Sequence, residues 1–339
     1  MLKIGIIGFG KMGRTRAKAI AASGLGEVIC IWDVDVPANS LYTVASSDQD
    51  VLKHSEVDAV FVCTPNNRIV PLTVAALQAG KHVFAEKPPA FTAAEFEQVL
   101  AAEAASGKLV MYGFNHRHHG SIIRMKEIIS SGEMGKILWM RGRYGKEVDE
   151  SFLTGWRADP KLSGGGIMLD QGIHMLDLFL HLAGNFNEVY ALVSNLFWKI
   201  PGVEDNVFAI MRSSETGVSA SLHSTMTQWR YLFSLEVFLE KGSLILNGLK
   251  TSSGAYGDED LAIRHTPKGD ETGHVAHEER VVYHNDTSWE SEVGHFFDSI
   301  KNNTKIQTGN TDDALALMRL LDRIYAYKIP VDTPTDHLD

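Results

Sequence analysis

The N-terminal stretch KIGIIGFGKMG constrains this chain more than any other. Residues 3–7 form an apolar run of strand length. Gly8-Phe9-Gly10-Lys11-Met12-Gly13 follows at once and opens a helical pattern over residues 13–22. A GxGxxG is a weak signal alone, but between a strand and a helix it has the context of a dinucleotide-binding turn. The first glycine permits the tight turn, the second lets a pyrophosphate approach the backbone, and the third lets helix and strand pack closely. The helix N-terminus then offers unpaired N–H groups and a partial positive charge to the phosphates. Asp33 ends the next apolar run, where a carboxylate can accept hydrogen bonds from ribose hydroxyls and repel a 2′-phosphate. Val34, Asp35 and Val36 supply no arginine for such a phosphate, so NAD is expected over NADP.

Strand and helix signals continue to alternate. Strands are predicted at 27–33, 58–64, 82–88 and 108–114, and helices at 71–79 and at 92–106, the latter with Thr92 as N-cap. This alternation predicts an α/β domain, a doubly wound parallel Rossmann sheet over residues 1–120. Past Asn115 the rhythm changes. Helices are predicted at 121–131, 164–184, 288–301 and 311–327, with strand-like runs at 188–198, 207–213, 218–226 and 231–246. Strands joined by short turns predict an antiparallel open sheet in a second, α+β domain over residues 121–339, for substrate binding and oligomerisation. The polar segment 256–286 reads as loops with two edge strands.

Bulk properties exclude several functions. A formal net charge of −10 without a basic block argues against nucleic acid and anionic membranes. No apolar run reads as a signal peptide or a membrane span. The only cysteines, Cys30 and Cys63, lie in strand-like runs, so a reducing cytoplasm is the expected location and neither thiol is expected to react.

One apolar helix carries an unexpected polar stripe. In SGGGIMLDQGIHMLDLFLHLAG, residues 163–184, Asp170, His174, Asp177 and His181 share one helical face amid leucines, isoleucines and methionines. Charge in such surroundings is either paired or working. One reading is a pair of satisfied Asp–His contacts; the other is a cleft-facing site. Glu86-Lys87-Pro88, at the C-terminal end of a predicted parallel strand, lies where ligands bind in open α/β sheets.

Taken in order, the GxGxxG, Thr64-Pro65-Asn66, Glu86-Lys87-Pro88, Asn115 with Arg117, Trp156-Arg157 with Asp159-Pro160, and the block from Gly164 to His174 resemble the Gfo/Idh/MocA oxidoreductases. The likeness implies that Lys87 hydrogen-bonds the reacting hydroxyl, His174 is the general acid/base, and Asp170 holds the substrate. It implies a cofactor site of Gly8, Phe9, Gly10, Lys11, Met12, Gly13, Asp33, Thr64, Pro65, Asn66, Glu86, Lys87, Asn115, Trp156 and Arg157. The stripe would then face a cleft between domains, with Gly164 to Gly166 letting the chain pass close to the ligand. Asp177 and His181 are expected to pair structurally. Arg68 stands where the family often has a histidine.

The implied function is NAD-dependent hydride transfer at a secondary alcohol or ketone of a sugar, polyol or nucleotide-sugar. An NAD-dependent glycosidase and a non-catalytic NAD-binding regulator are the alternatives; the intact Lys87, Asp170 and His174 speak against the regulator. His116, His118 and His119 raise the thought of a metal, but no CxxC or HExxH accompanies them and none is expected. Specificity is expected in the loops 144–162, 226–230 and 256–286, with Tyr144, Lys146, Arg157, Trp229 and Arg230 as substrate contacts. A homodimer or homotetramer through the second sheet is expected; YLFSLEVFL, residues 231–239, is a candidate surface, and a buried strand would read the same way.

Overall fold

β1 (Leu2–Ile7), fully apolar at its C-terminal end, is an inner strand, second from one edge of a five-stranded parallel sheet. The computed structural model describes residues 1–36, 40–266 and 278–327. α1 (Lys11–Ser23), β2 (Gly26–Trp32), α2 (Asp48–Lys53), β3 (Ala59–Val62), α3 (Ile69–Gln78), β4 (His82–Ala85), α4 (Ala93–Ser106) and β5 (Val110–Tyr112) complete the expected alternation. The strand order is β2-β1-β3-β4-β5, all parallel. Outside β2 the chain adds one further rung: Val44 makes a single parallel bridge to Ile31. That rung stands where a doubly wound dinucleotide fold has its outer strand, so the order about the β1–β3 switch point is that of a Rossmann half shortened at its edge. Thr92 caps α4 as expected, its hydroxyl accepting from the Glu95 N–H.

The chain past β5, which builds the second sheet, forms α5 (Gly120–Ser131), β6 (Ile137–Glu147), α6 (Pro160–Ser163), α7 (Ile173–Ala183), β7 (Glu188–Ser194), β8 (Asn206–Arg212), β9 (Ser219–Thr225), β10 (Thr227–Leu239), β11 (Gly242–Asn247), β12 (Glu259–His265), β13 (Glu278–Tyr283), α8 (Ser288–Asn302) and α9 (Thr311–Tyr325). Its eight strands run β13-β12-β11-β10-β6-β9-β8-β7, antiparallel except where β6 meets β9. Residues 231–246 fold as the β10–β11 hairpin. The segment 256–286 supplies β12 and β13, while its residues 267–277 lie outside the described ones.

β6 is absent from the predicted strands although it is central. Arg141 and Arg143 point outward, and inward-facing Gly142 interrupts the apolar alternation. Gly142 is required by packing, since a Cβ there would lie 2.5 Å from Met175 on α7. α8 returns to the first sheet: Phe296 and Phe297 pack edge-on against the stacked pair Phe61 and Phe84. All four rings are fully buried, each worth about 1.5–3 kcal/mol in transfer free energy.

Of the two readings of YLFSLEVFL, the structure has the buried strand. Phe233, Leu235, Val237 and Leu239 are buried in the core. The apolar residues left open stand on the outer faces of β7 and β8: Tyr190, Leu192, Phe208 and Ile210 are 47–70 % exposed.

Candidate active site

The three glycines of the turn stand in different surroundings. Gly8 has φ +92°, and a Cβ on it would lie 2.5 Å from the Cys63 carbonyl; a Cβ on Gly13 would lie 2.1 Å from the Gly8 oxygen. A Cβ on Gly10 would meet nothing within 4 Å. So the outer glycines serve protein packing, and the middle one faces open space. No side chain caps α1 and no acidic residue stands in its first turn, which leaves its N–H groups and positive dipole end for an anion. Asp33 accepts the Phe9 N–H and thereby ties the tip of β2 to the glycine turn. Lys11 and Met12 form the start of α1. Beside this cradle, the Thr64 hydroxyl is buried without a partner among the described residues. Pro65 follows, and Asn66 donates to the Ser163 carbonyl at 2.8 Å, joining the two domains. Cradle, carboxylate and orphan hydroxyl together fit a dinucleotide.

Lys87 follows β4, and its Nζ donates to the main-chain carbonyl of Asp170 at 2.6 Å, with Asp170 Oδ1 at 3.6 Å. Asp170 is gripped from two further sides: Lys146 Nζ bonds Oδ2, and Arg157 Nε bonds Oδ1 at 3.2 Å. Burial alone would raise this carboxyl, but Lys146, Lys87 and Arg157 outweigh it and hold Asp170 well below the usual carboxylate range. Lys87 itself is lowered by burial, with Asp170 opposing the shift.

His174 is 6 % exposed and stacks on His116, ring centroids 3.9 Å apart. Its Nδ1 is buried without a partner among the described residues. Burial, assisted by Lys87, holds the imidazole well below its ordinary value, so it is neutral at neutral pH and able to accept a proton. His116 is fixed in turn by Asn115 Oδ1 at 3.1 Å and the Tyr144 hydroxyl at 3.0 Å.

The backbone around this cluster departs from the single helix predicted over 164–184. A wider π-helical turn, Met168–Gly172, holds Asp170 and leads into α7, whose first turn carries His174. Such turns recur at functional sites. Glu204 pins its start: its carbonyl accepts from Ile167 N and its carboxylate from Met168 N, both at 3.0 Å. The glycine triplet serves this packing: a Cβ would lie 2.3 Å from the Phe91 ring on Gly164, 2.5 Å from the Tyr325 hydroxyl on Gly165 and 1.9 Å from the Glu204 oxygen on Gly166.

The structure redraws several expected roles. Asp170 and Asp177 pair with cations, not with histidines. Arg117 grips Asp177 through two bonds of 2.6 and 2.8 Å and reaches Asp313 at 2.7 Å, tying α7 to α9. Glu86 gives its carboxylate to buried Arg16 at 2.6 Å and is not turned to the cleft. Tyr144 lies on β6 rather than in a loop and is 2 % exposed, so it supports His116 and cannot form an open substrate contact. His118 and His119 bond Ser291 and Glu259. No three His, Cys, Asp or Glu groups among the described residues are arranged to hold a metal. Trp156 carries the Arg157 guanidinium over its ring at 4.4 Å. Trp229 is 54 % exposed in the bulged start of β10, packed edge-on to Phe197. The His116–His174 stack is the pairing that sequence reasoning missed; its one signal was a histidine-rich FNHRHHG just past a parallel strand.

Residues 2–114 match the family model described as an oxidoreductase family with an NAD-binding Rossmann fold, and residues 122–245 match the GFO/IDH/MocA C-terminal domain. The 1,5-anhydro-D-fructose reductase of Ensifer adhaerens is 30 % identical over 262 residues, 74 % of this chain and 77 % of that one. The chain belongs to the GFO/IDH/MocA oxidoreductase family. An uncharacterized oxidoreductase of Bacillus subtilis, YrbE, is 25 % identical over 96 % of this chain and 95 % of its own. Levoglucosan dehydrogenase in complex with NADH shares the fold, with a TM-score of 0.84 at 21 % identity over 96 % of both chains. The parallel N-terminal sheet is thus this oxidoreductase's NAD-binding domain, and the expected resemblance holds for both domains.

Proposed function

We propose that this oxidoreductase interconverts a secondary alcohol and its ketone on a carbohydrate-like molecule: a sugar, polyol or nucleotide-sugar. The observation that carries the reading is the convergence of Lys87, Asp170 and His174 from two domains. Relatives named for levoglucosan, inositol and anhydrofructose chemistry support the substrate class. NAD, held by the glycine turn at the start of α1 and by Asp33, would supply the hydride acceptor for the carbinol carbon. Neutral His174 takes the hydroxyl proton as hydride leaves, and passes it to solvent. The Lys87 ammonium, which keeps N–H donors beyond the one on Asp170, stabilises the developing alkoxide. Asp170 accepts from a neighbouring hydroxyl and orients the ring. Incubation with NAD and a panel of polyols, sugars and nucleotide-sugars tests the reading; no nicotinamide reduction with any of them would count against it.

Asp33 supports NAD over NADP. Asp33→Ala should lower kcat/KM for NAD by about tenfold to a hundredfold, the worth of hydrogen bonds to a charged acceptor, and narrow the gap to NADP. Equal loss with both cofactors would show that Asp33 only braces the glycine turn.

A second copy of the chain is the occupant we propose for the outer face of β7 and β8, giving a dimer or a dimer of dimers. Leu192→Glu with Ile210→Lys should convert the assembly to monomers on light scattering after size exclusion; an unchanged mass would exclude this face. Both cysteines are free thiols, which suits the reducing cytoplasm we propose, and no described helix is long and apolar enough to cross a membrane.

A further inference from the structure

The charge around Asp170 does not balance. Lys87, Lys146 and Arg157 each make their ion pair with this one carboxylate, and none of them pairs with a second carboxylate among the described residues. Glu86, next to Lys87 in sequence, is taken by Arg16. Of the acidic residues near the two other cations in sequence, Asp149 accepts from Ser151 and Asp159 from the Lys161 N–H, while Glu147 and Glu150 are exposed and pair with neither cation. Setting Lys87 aside for the reacting oxygen still leaves two cations for one carboxylate.

Geometry makes that excess a receptor. Lys146, at the end of β6, and Arg157, in the turn Trp156–Ala158, reach Asp170 on different oxygens. Lys146 is 13 % exposed by its side chain and has the Phe152 ring 5.4 Å from its ammonium, so little water compensates it. Arg157 spends only its Nε on Asp170. Its two terminal nitrogens bond no described residue, and its guanidinium carbon stands over the Trp156 ring, 4.4 Å from the centroid, with a side-chain exposure of 43 %. A planar guanidinium held by an aromatic face presents a fork suited to two anionic oxygens. A neutral sugar closing this cleft would desolvate the excess positive charge with nothing to offset it.

We propose that the substrate carries an anionic oxygen group, a carboxylate or a phosphate, close to its reacting carbinol, and that Lys146 and Arg157 receive it. The proposal rests on the carbohydrate-dehydrogenase reading and narrows it to acidic sugars. Asp170 keeps a hydroxyl of the same molecule, while the substrate's anion takes over part of the bonding that Lys146 and Arg157 now give to Asp170.

The test compares neutral hexoses and hexitols with hexuronates, aldonates and hexose phosphates, by NAD reduction and by calorimetry on the NADH-loaded protein. An acidic series should exceed its neutral parents by about tenfold or more in kcat/KM and in affinity; whether the carboxylates or the phosphates lead identifies the anion. Lys146→Gln and, as the more exposed second variant, Arg157→Gln should each shrink the acid-to-neutral ratio, not merely the rate. Neutral sugars preferred over their acids, or both series weakened equally by both variants, would overturn the proposal. If nothing reduces NAD, the dehydrogenase reading is what has failed, and calorimetry still decides: acids binding where neutral parents do not would uphold the anion receptor, and equal or absent binding would remove it.

Discussion

Replacing Lys87 with methionine is expected to lower kcat/KM by about 10²–10³, the cost of removing one donor from a developing oxyanion, with NADH affinity little changed. Methionine keeps most of the buried stem and deletes only the ammonium. His174→Ala should cost about 10²–10⁴, the usual contribution of a positioned general base. A purely structural role could mimic either loss, so the pH profile is the sharper measurement.

His174 must be neutral to act, and burial with the Lys87 charge holds its pKa well below 6.5. The acid limb of kcat/KM should therefore fall below pH 6.5, leaving a flat profile through neutrality. Removing the Lys87 charge removes a cause of the depression, so in Lys87→Met the acid limb must move to higher pH. In His174→Ala that limb should vanish. An unmoved limb in Lys87→Met would mean that the two side chains do not share a site during turnover.

Legibility differed by the range of the interaction. The glycine turn, Asp33 and the strand-ending Lys87 could be read because each depends on near neighbours: a turn, a strand end, a helix start. Gly8 and Gly13 are fixed by packing, and of the three Gly10 alone faces open space. The stripe on the apolar helix was legible as a place of cost, but its partners were not. Asp170 is answered by residues 13, 24 and 83 positions away, and nothing local to Lys146 announces the pairing. Tyr144 was misplaced because β6 hides its strand character behind Gly142 and outward arginines. Glu86 looked like part of the cleft because it adjoins Lys87, yet alternate residues leaving a strand point to opposite faces. Its partner Arg16 is 70 residues away, and that arginine's other partner is 276 away.

That distant pairing gives the largest expected effect on stability. Arg16 is fully buried between Glu86 on the strand side and Glu292 on α8, at 2.6 and 2.5 Å, with its guanidinium over the rings of Phe84 and Trp289. Arg16→Met should cost about 3–5 kcal/mol in urea unfolding, because it strands buried carboxylates rather than because the pairs are themselves worth that much. Glu292→Gln should be far milder. One guanidinium cannot satisfy two buried carboxylates equally, and burial first, opposed by Arg16 and reinforced by Glu86, pushes Glu292 up to about 7. A carboxyl raised in the folded state binds a proton that the unfolded chain has released. Its contribution is full below the ordinary value of 4.5 and fades as pH rises through about 7. The glutamine variant keeps a neutral side chain of the same shape at every pH. It should therefore gain on the wild-type protein between pH 4.5 and 8, and the two unfolding midpoints should converge below that window. Parallel curves for wild type and Glu292→Gln across the whole range would show that Glu292 is ionised throughout, and that Arg16 satisfies both carboxylates after all.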